Sequence, residues 1–558
     1  MGDGTRCLPL LDSSRIMAAG AQTPVSETNS AGSLWQQSSP AVIAALVYLL
    51  LTVFVVFRAW VTCDHHFIYA LDDTYIGMAM AKNLALHGVW GVSPFGFTSS
   101  DSSLLFPLLM AAADRIAGVN LYAPLAISWT FGLVSIFVAG RILRGFLSRK
   151  AQTLSLILFV LVALLFVVGV IGMEHSAHLL FTLMFLEFFL QEPDQPLSTR
   201  RLLSLGAITA LMVAARYEGL FLVAPAFCIL ALQRRWKPAF TVAIGAAIPV
   251  LSYAVFSLTH GATWLPNSVA LKGAGGDHPG ILQAGSNIAA RIAENFHECP
   301  ELFLLLLCAA VILIALRKTS RLRVPLALIL IAGCLHLCLA QVGMYYRYDA
   351  YLFAAATVAI ACAFPALRAT ASKRAFAASY LLALGSGAFL LLISAAQIHM
   401  LPIIARNIWL RQWQMGLFVE QYYPAATIAA NDIGAVNYLS HIHCYDLVGL
   451  ANQDVFNARR TGHYTTQFLR DDTAARHVDI AIAYDRWFGD PPGVPVGGPP
   501  LPSSWIRVGQ WKLPDYSIIG DKTVSFYAVD PSQAAALRTA LVRFSASLPN
   551  GVYLAPQP

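Results

Sequence analysis

Long uncharged stretches dominate the chain from Pro40 onward. Apolar runs long enough, or nearly so, to cross a hydrocarbon core of ~30 Å fall at Pro40–Trp60, Leu121–Leu143, Ala151–Gly172, Ser176–Leu190, Leu202–Ala215, Gly219–Leu232, Ala239–Leu258, Leu302–Leu316, Val324–Val342, Tyr351–Leu367 and Ala375–Ile398. They are continuous rather than alternating, which excludes a transmembrane β-barrel and predicts about eleven membrane helices. The Leu202–Ala215 and Gly219–Leu232 runs are parted only by Arg216, Tyr217 and Glu218.

Positive charge orients these spans, because short cytoplasmic loops collect Lys and Arg. Clusters follow alternate runs: Arg141 to Lys150, Arg200 and Arg201, Arg234 to Lys237, Arg317 to Arg323, and Arg368 to Arg374. The N-terminus is therefore expected in the cytoplasm and the C-terminal part outside. Residues 1–39 are polar, lack the features of a cleavable signal and read as a disordered cytoplasmic tail. Ser103–Ala113 is too short to span, contains Pro107 and ends in Asp114-Arg115. Counting it as a crossing puts every basic cluster outside, so residues 61–120 form a large external loop with two surface helices, Thr74–His87 and Ser102–Ala117. Residues 259–299 form a second external loop.

After His399 no spanning run recurs. Short β-like stretches at Ala425–Ala430, Tyr445–Val448, Asp479–Tyr484 and Thr523–Ala528 alternate with helical ones such as Pro531–Ser547, which predicts a small external α/β domain. The expected organisation is a tail over 1–39, a membrane domain over 40–399 and the α/β domain over 400–558.

Composition agrees with this. Of the 558 residues 57% are hydrophobic and only 12% charged, against roughly 25% charged in soluble domains. The net charge of +7 is a matter of topology, not of nucleic-acid binding. Nine cysteines without CxxC spacing give neither a metal cage nor a disulfide framework. No P-loop, HExxH or GxSxG motif is present, and the absence of an N-x-[ST] sequon is in keeping with a bacterial membrane.

Candidate chemistry collects at the outer ends of the odd-numbered helices. Asp72 and Asp73 follow the first, Glu174 and His175 the third, Arg216 and Glu218 the fifth, Lys272 the seventh, and Arg347 and Asp349 the ninth. Ionisable groups at a membrane interface are costly unless paired or functional, so five charged corners on one face point to a cavity that handles a polar group. An Asp at the start of a helix most often caps it. A carboxylate held there beside Arg or Lys can instead deprotonate an acceptor hydroxyl. Adjacent helical residues point about 100° apart, so Asp72 and Asp73 are expected to divide the roles of base and orienter.

The run LDDTYIGMAMAKNLALHGVWGVSP (Leu71–Pro94) and then FTSSDSSLLFPLLMA (Phe97–Ala111) resembles the first external loop of GT-C glycosyltransferases. GMEH (Gly172–His175), ARYEG (Ala215–Gly219), LPNSVALKG (Leu265–Gly273) and RYDAYLFA (Arg347–Ala354) match in the same order. Within that superfamily the chain is most similar to the arabinofuranosyltransferases of mycobacterial walls, with protein mannosyltransferases and aminoarabinose transferases as related branches. The resemblance implies inverting transfer of a sugar from a polyprenyl-phosphate donor, with Asp72 at the family's base position and Asp73 at its second acidic position. The acceptor it implies is a polysaccharide, lipid or protein of the cell envelope. Two departures stand out: Asp101-Ser102-Ser103 where Thr/Ser-Pro is common, and Tyr217 where Pro is common.

A donor phosphate needs a cation to stabilise the leaving group. Arg347, Arg216 and Lys272 are the candidates. Glu174, His175 and Glu218 are candidates to orient the sugar, and Glu174 and His175 could hold a divalent cation with Asp73, although a lone His-Glu pair is a weak metal signature. The competing readings are a lipid or sugar transporter, which predicts charges at mid-membrane rather than at one face, and an inactive scaffold for the external domain. A reporter fused after Lys150 or Arg374 is expected to read cytoplasmic and one after Pro424 external. Finding Lys150 and Pro424 on the same side overturns the orientation.

Overall fold

The computed structural model of the protein describes residues 30–190, 197–272, 281–489, 497–514 and 521–556. In chain order the helices before the sheet are α1 (Ser30–Thr62), α2 (Asp72–His87), α3 (Leu105–Ala117), α4 (Ala123–Arg144), α5 (Arg149–Val162), α6 (Leu165–Val170), α7 (His175–Leu190), α8 (Thr199–Ala215), α9 (Leu220–Leu232), α10 (Trp236–Thr259), α11 (Asn267–Lys272), α12 (Ile281–Glu298), α13 (Pro300–Ala315), α14 (Arg323–Leu339), α15 (Ala350–Thr370), α16 (Lys373–Ile408) and α17 (Gln414–Tyr422). Each of the eleven expected apolar runs is thus helical. Five helices are long and apolar enough to cross a membrane, or six if the pair Gly285–Glu298 and Pro300–Ala315, bent by 100°, is one span. This is a multi-pass membrane protein, but helix length does not establish eleven crossings. Several runs are short because the backbone breaks inside them: Leu164 adopts φ 51° between α5 and α6, splitting the expected Ala151–Gly172 span.

Residues 1–29 of the expected tail lie outside the described residues, and 30–39 already belong to α1. The boundary expected between 399 and 400 falls inside α16. That helix passes through a π-helical turn at Trp409–Trp413 straight into α17. Phe418 of α17 then packs edge-on against Trp511, Phe526 and Phe544, so the sheet domain is fixed to the last membrane helix by an aromatic cluster.

The sheet has six strands, β1 (Thr427–Ala430), β2 (His443–Asp446), β3 (Ile480–Ala483), β4 (Ile506–Lys512), β5 (Thr523–Ala528) and β6 (Tyr553–Leu554), in the order β2-β1-β3-β5-β4-β6. The first three pair in parallel and the rest antiparallel. Crossovers run through α18 (Gly434–Leu439), α19 (Gln453–Arg460) and α20 (Thr466–Ala475), and α21 (Ala534–Phe544) follows β5. Strands β4 and β6 were not expected. In β4 the register shifts between Arg507 and Gly509, a bulge that disturbs the alternation by which strands are read.

Helix α2, expected as a surface helix, is not half exposed. It is buried from Thr74 to Asn83, because α3 and α18 cover it. Ile76 and Met80 join a cluster with Val92, Ala430 and Ile433. The two ends of α18 are gripped by opposite charges from α2. Both Asp72 carboxylate oxygens accept backbone N–H groups, from Gly434 at 2.7 Å and Ala435 at 2.9 Å. The Lys82 ammonium donates to the carbonyls of Asn437, Tyr438 and Ser440 at 3.1, 2.6 and 3.3 Å. An anion at the amino end and a cation at the carboxyl end both suit the helix dipole. Asp72 does cap a helix, but α18 rather than its own. The fit leaves no room for a side chain at 434, where a Cβ would stand 2.1 Å from the Asp72 carbonyl oxygen. Gly434→Ala is therefore expected to destabilise the protein by about 1–3 kcal/mol, read as a lower unfolding midpoint in detergent. An unchanged midpoint shows that α18 is not seated on α2.

Candidate functional site

Asp73 is turned away from α18 and meets Arg347. The carboxylate accepts from the guanidinium Nη2 at 2.6 Å, with the Asp73 side chain 37% exposed and that of Arg347 only 1%. Arg347 also donates to the Tyr348 hydroxyl at 2.9 Å and contacts the Met173 sulfur at 3.0 Å. Its position depends on an unusual piece of backbone. Gly343, Met344, Tyr345 and Tyr346 have φ of 79°, 46°, 65° and 62°, one left-handed turn immediately before it. The left-handed conformation costs a non-glycine residue ~1–2 kcal/mol. The turn is tied at both ends: the Gly343 N–H donates to Asp349 at 2.8 Å, and Asp349 lies 3.2 Å from His336. Strain of this kind, held by its surroundings, gathers at functional sites.

The expected corner residues Glu174, His175, Arg216 and Glu218 come together. Arg216 donates to Glu174 at 2.5 Å, contacts His175 Nε2 at 2.9 Å, and donates through Nε to Glu218 at 3.1 Å. These side chains are mostly hidden from solvent. The Tyr348 ring links the two arginines, with the Arg216 and Arg347 guanidinium carbons 5.2 and 4.8 Å from its centroid, within cation–π range. Lys272 ends α11, but its side chain lies outside the described residues. Among the described residues no three His, Cys, Asp or Glu side chains converge to hold a metal ion, and Glu174 and His175 both face Arg216.

Two adjoining cavities share the Arg216 corner. The larger, of ≈ 270 Å³, is walled mainly by apolar groups such as Leu220, Phe221, Val250, Trp264 and Leu339, and ends on Ser102, Arg216, Ser268 and Tyr348. The smaller is lined by those same four residues together with Asp73, Asp101 and Arg347. The Ser268 hydroxyl is buried without a hydrogen-bond partner among the described residues.

Asp101 was not among the expected site residues, although the motif departs from the family pattern at that position. One carboxylate oxygen accepts the Ser103 N–H at 2.8 Å. Burial, reinforced by Glu174, pushes its pKa up to about 7 against the opposing pull of the Ser103 N–H and Arg216. Burial and then Asp432 push Asp72 upward, while the two α18 N–H groups, one on each oxygen, favour its ionised form. Ser268 and Tyr348 were missed as well. Both lie inside the quoted motifs, but nothing in their residue type singled them out.

Residues 405–527 match the model of a domain of unknown function, DUF8728. No curated protein matches the chain. Among solved structures, ArnT from Cupriavidus metallidurans in the apo state superposes with a TM-score of 0.50 at 12% identity, over 90% of this chain and 99% of ArnT. The chain has the fold of ArnT. The arabinofuranosyltransferase branch expected from the loop motifs is not singled out. ArnT bound to undecaprenyl phosphate superposes at 0.48 and 12% identity, over 87% of this chain and 98% of ArnT. The archaeal oligosaccharyltransferase AglB from Archaeoglobus fulgidus, in complex with an inhibitory peptide and a dolichol-phosphate, does so at 0.49 and 14%, over 90% of this chain and 75% of AglB.

Arg216 compensates the buried charge of Glu174 and Glu218. Removing one partner of a buried ion pair costs about 3–5 kcal/mol because the other stays uncompensated. Arg216→Met is therefore expected to lower the unfolding midpoint strongly, and the double variant with Glu174→Gln to recover part of the loss. A midpoint unmoved by Arg216→Met shows that the network carries no such coupling.

Proposed function

We propose that the chain is an inverting glycosyltransferase that moves a sugar from a polyprenyl-phosphate donor to a cell-envelope acceptor on the outer face of a bacterial inner membrane. The observation that carries this reading is the apolar cavity that ends on Arg216, Ser102 and the buried Ser268, whose hydroxyl has no partner among the described residues, and that adjoins the carboxylates Asp73 and Asp101. A long hydrocarbon chain with one phosphate at its end has this same polarity. The phosphate sits against Arg216 and takes the Ser268 and Ser102 hydroxyls, and the sugar lies toward Asp73, Asp101 and Arg347.

Transfer then needs one proton removed and one leaving charge stabilised. The acceptor hydroxyl oxygen bonds to the anomeric carbon, the bond from that carbon to the phosphate oxygen breaks, and the electron pair leaves with the lipid phosphate, where Arg216 stabilises it. The hydroxyl proton passes to a carboxylate. Asp101, pushed up to about 7 by burial and Glu174, is the base. Asp73, in its ion pair with Arg347, offsets positive charge on the sugar. Asp72 is the positioning residue of the acidic pair, because both its oxygens are spent on α18. Lys272 remains a second candidate for the phosphate.

The test is sugar transfer from synthetic undecaprenyl-phosphate donors by the purified protein in detergent. A base must be ionised to act, so turnover rises with pH through about 7 and levels off above. Asp101→Asn is expected to lose about 10²–10⁴ in turnover together with that pH dependence. Asp72→Asn, which keeps an oxygen for α18, is expected to retain turnover within about tenfold. Full activity of a folded Asp101→Asn variant rejects Asp101 as base. No transfer from any lipid-phosphate sugar by the unaltered protein rejects the reaction class.

A further inference from the structure

We propose that the polar cleft between the first loop and the sheet domain is the acceptor site, and that its occupant is a neutral glycan. This deepens the transferase reading and rests on it for the word acceptor. The cleft measures ≈ 520 Å³, inside the range of about 300–1,000 Å³ typical of ligand sites. One wall is the turn from Ser93 to Thr98. The other is built from Thr427, His443 and Tyr445 on the parallel strands, the start of α19 at Asn452 to Asp454, and Arg476. All of that second wall lies within residues 405–527, the domain of unknown function.

The lining selects the class of occupant. Its full charges are Asp454 and Arg476, which pair with each other, so it offers an ionic ligand no net attraction. What remains is aromatic face and neutral hydrogen-bonding groups. Phe95 is 52% exposed and stacks on His443 with ring centroids 3.6 Å apart and planes at 18°. This makes a rigid flat platform of the kind on which the C–H face of a sugar ring packs. Asn452 spends its side-chain oxygen on the Asp454 and Val455 N–H groups at 3.0 and 3.3 Å, which leaves its NH₂ to donate. Gln453 and Thr98 add further amide and hydroxyl groups. A lipid acceptor requires apolar walls, which belong to the other large cavity.

The cleft also adjoins the charged cavity. Leu450 lines that cavity and its neighbour Ala451 lines the cleft, so the partition is one loop thick. Thr98 of the cleft shares a hydrogen bond of 3.1 Å with Ser100 of the cavity. The dividing loop is fixed from both sides. Asp446 accepts the N–H groups of Val448 and Ala451, each at 2.7 Å. The Asn267 amide donates to the carbonyls of Gly449 and Leu450, each at 3.3 Å. A glycan lying in the cleft is thus separated from the cavity of Asp73 and Asp101 by this one loop.

The experiment is glycan-array binding by the full chain in detergent without donor, using neutral arabinan, mannan, galactan and glucan oligosaccharides beside a Ser/Gly-rich peptide. Saturable binding to at least one glycan is expected, weakened about tenfold or more in Phe95→Ala and also in Asp454→Asn, which alter opposite walls. Neither variant is expected to change the thermal shift caused by undecaprenyl phosphate. Binding of no neutral glycan, glycan binding that both variants leave intact, or capture of the peptide alone overturns the assignment. Absence of the undecaprenyl-phosphate shift with glycan binding intact counts against the donor reading and leaves the cleft assignment standing.

Discussion

Asp72 and Lys82 of α2 hold the two ends of α18, a helix of six residues, and the geometry of the charged cavity follows from that grip. Hydrogen bonds to charged groups contribute about 1.5–3 kcal/mol each in favourable cases, and five of them meet a helix too short to be stable alone. With Asp72 turned to α18, the helical rotation of about 100° per residue carries Asp73 round to Arg347. The same contact brings the loop after β2 against the membrane helices, where Leu450 closes the cavity and Ala451 faces the cleft. One electrostatic clamp therefore joins two parts of the chain and completes the walls of two binding spaces.

The second constraint is the company kept by buried charge. Arg216 lies among Glu174, His175 and Glu218, Arg347 faces Asp73, and the Tyr348 ring stands between the two guanidiniums. Planar, polyvalent guanidinium suits such sites, where it can satisfy several partners at once. A buried pair of this kind adds little net stability, since desolvation offsets attraction. What it does provide is orientation: each carboxylate is held at a defined point on the cavity wall.

The parts of this arrangement that local pattern governs were legible. Every apolar run became a helix, and Ala425–Ala430 and Thr523–Ala528 held strands. The charged corners could be read because charge beside a membrane span needs a reason, and Arg216, Glu174, His175 and Glu218 do meet. Which member of the acidic pair faces the cavity could not be read, since the partner that claims Asp72 is backbone N–H some 362 residues away, and any residue supplies a backbone N–H. Asp101 was visible only as a departure from a pattern. Its elevated affinity for a proton comes from burial and Glu174, neither of which is a property of neighbouring sequence. Span number is not fixed by hydropathy for a related reason: hydropathy counts runs, whereas a left-handed residue such as Leu164 cuts a run in two without changing its composition.

The separation between the halves of the clamp also sets a schedule. Asp72 leaves the ribosome 362 residues before Gly434, an interval of roughly 20–70 seconds at ~5–20 residues per second. Through that time α2 can pack on α3, but the face that α18 covers has no partner. Until Gly434–Leu439 is made, the Asp72 carboxylate and the Lys82 ammonium have no helix ends to bind, so this joint closes only after almost four fifths of the chain has been synthesised.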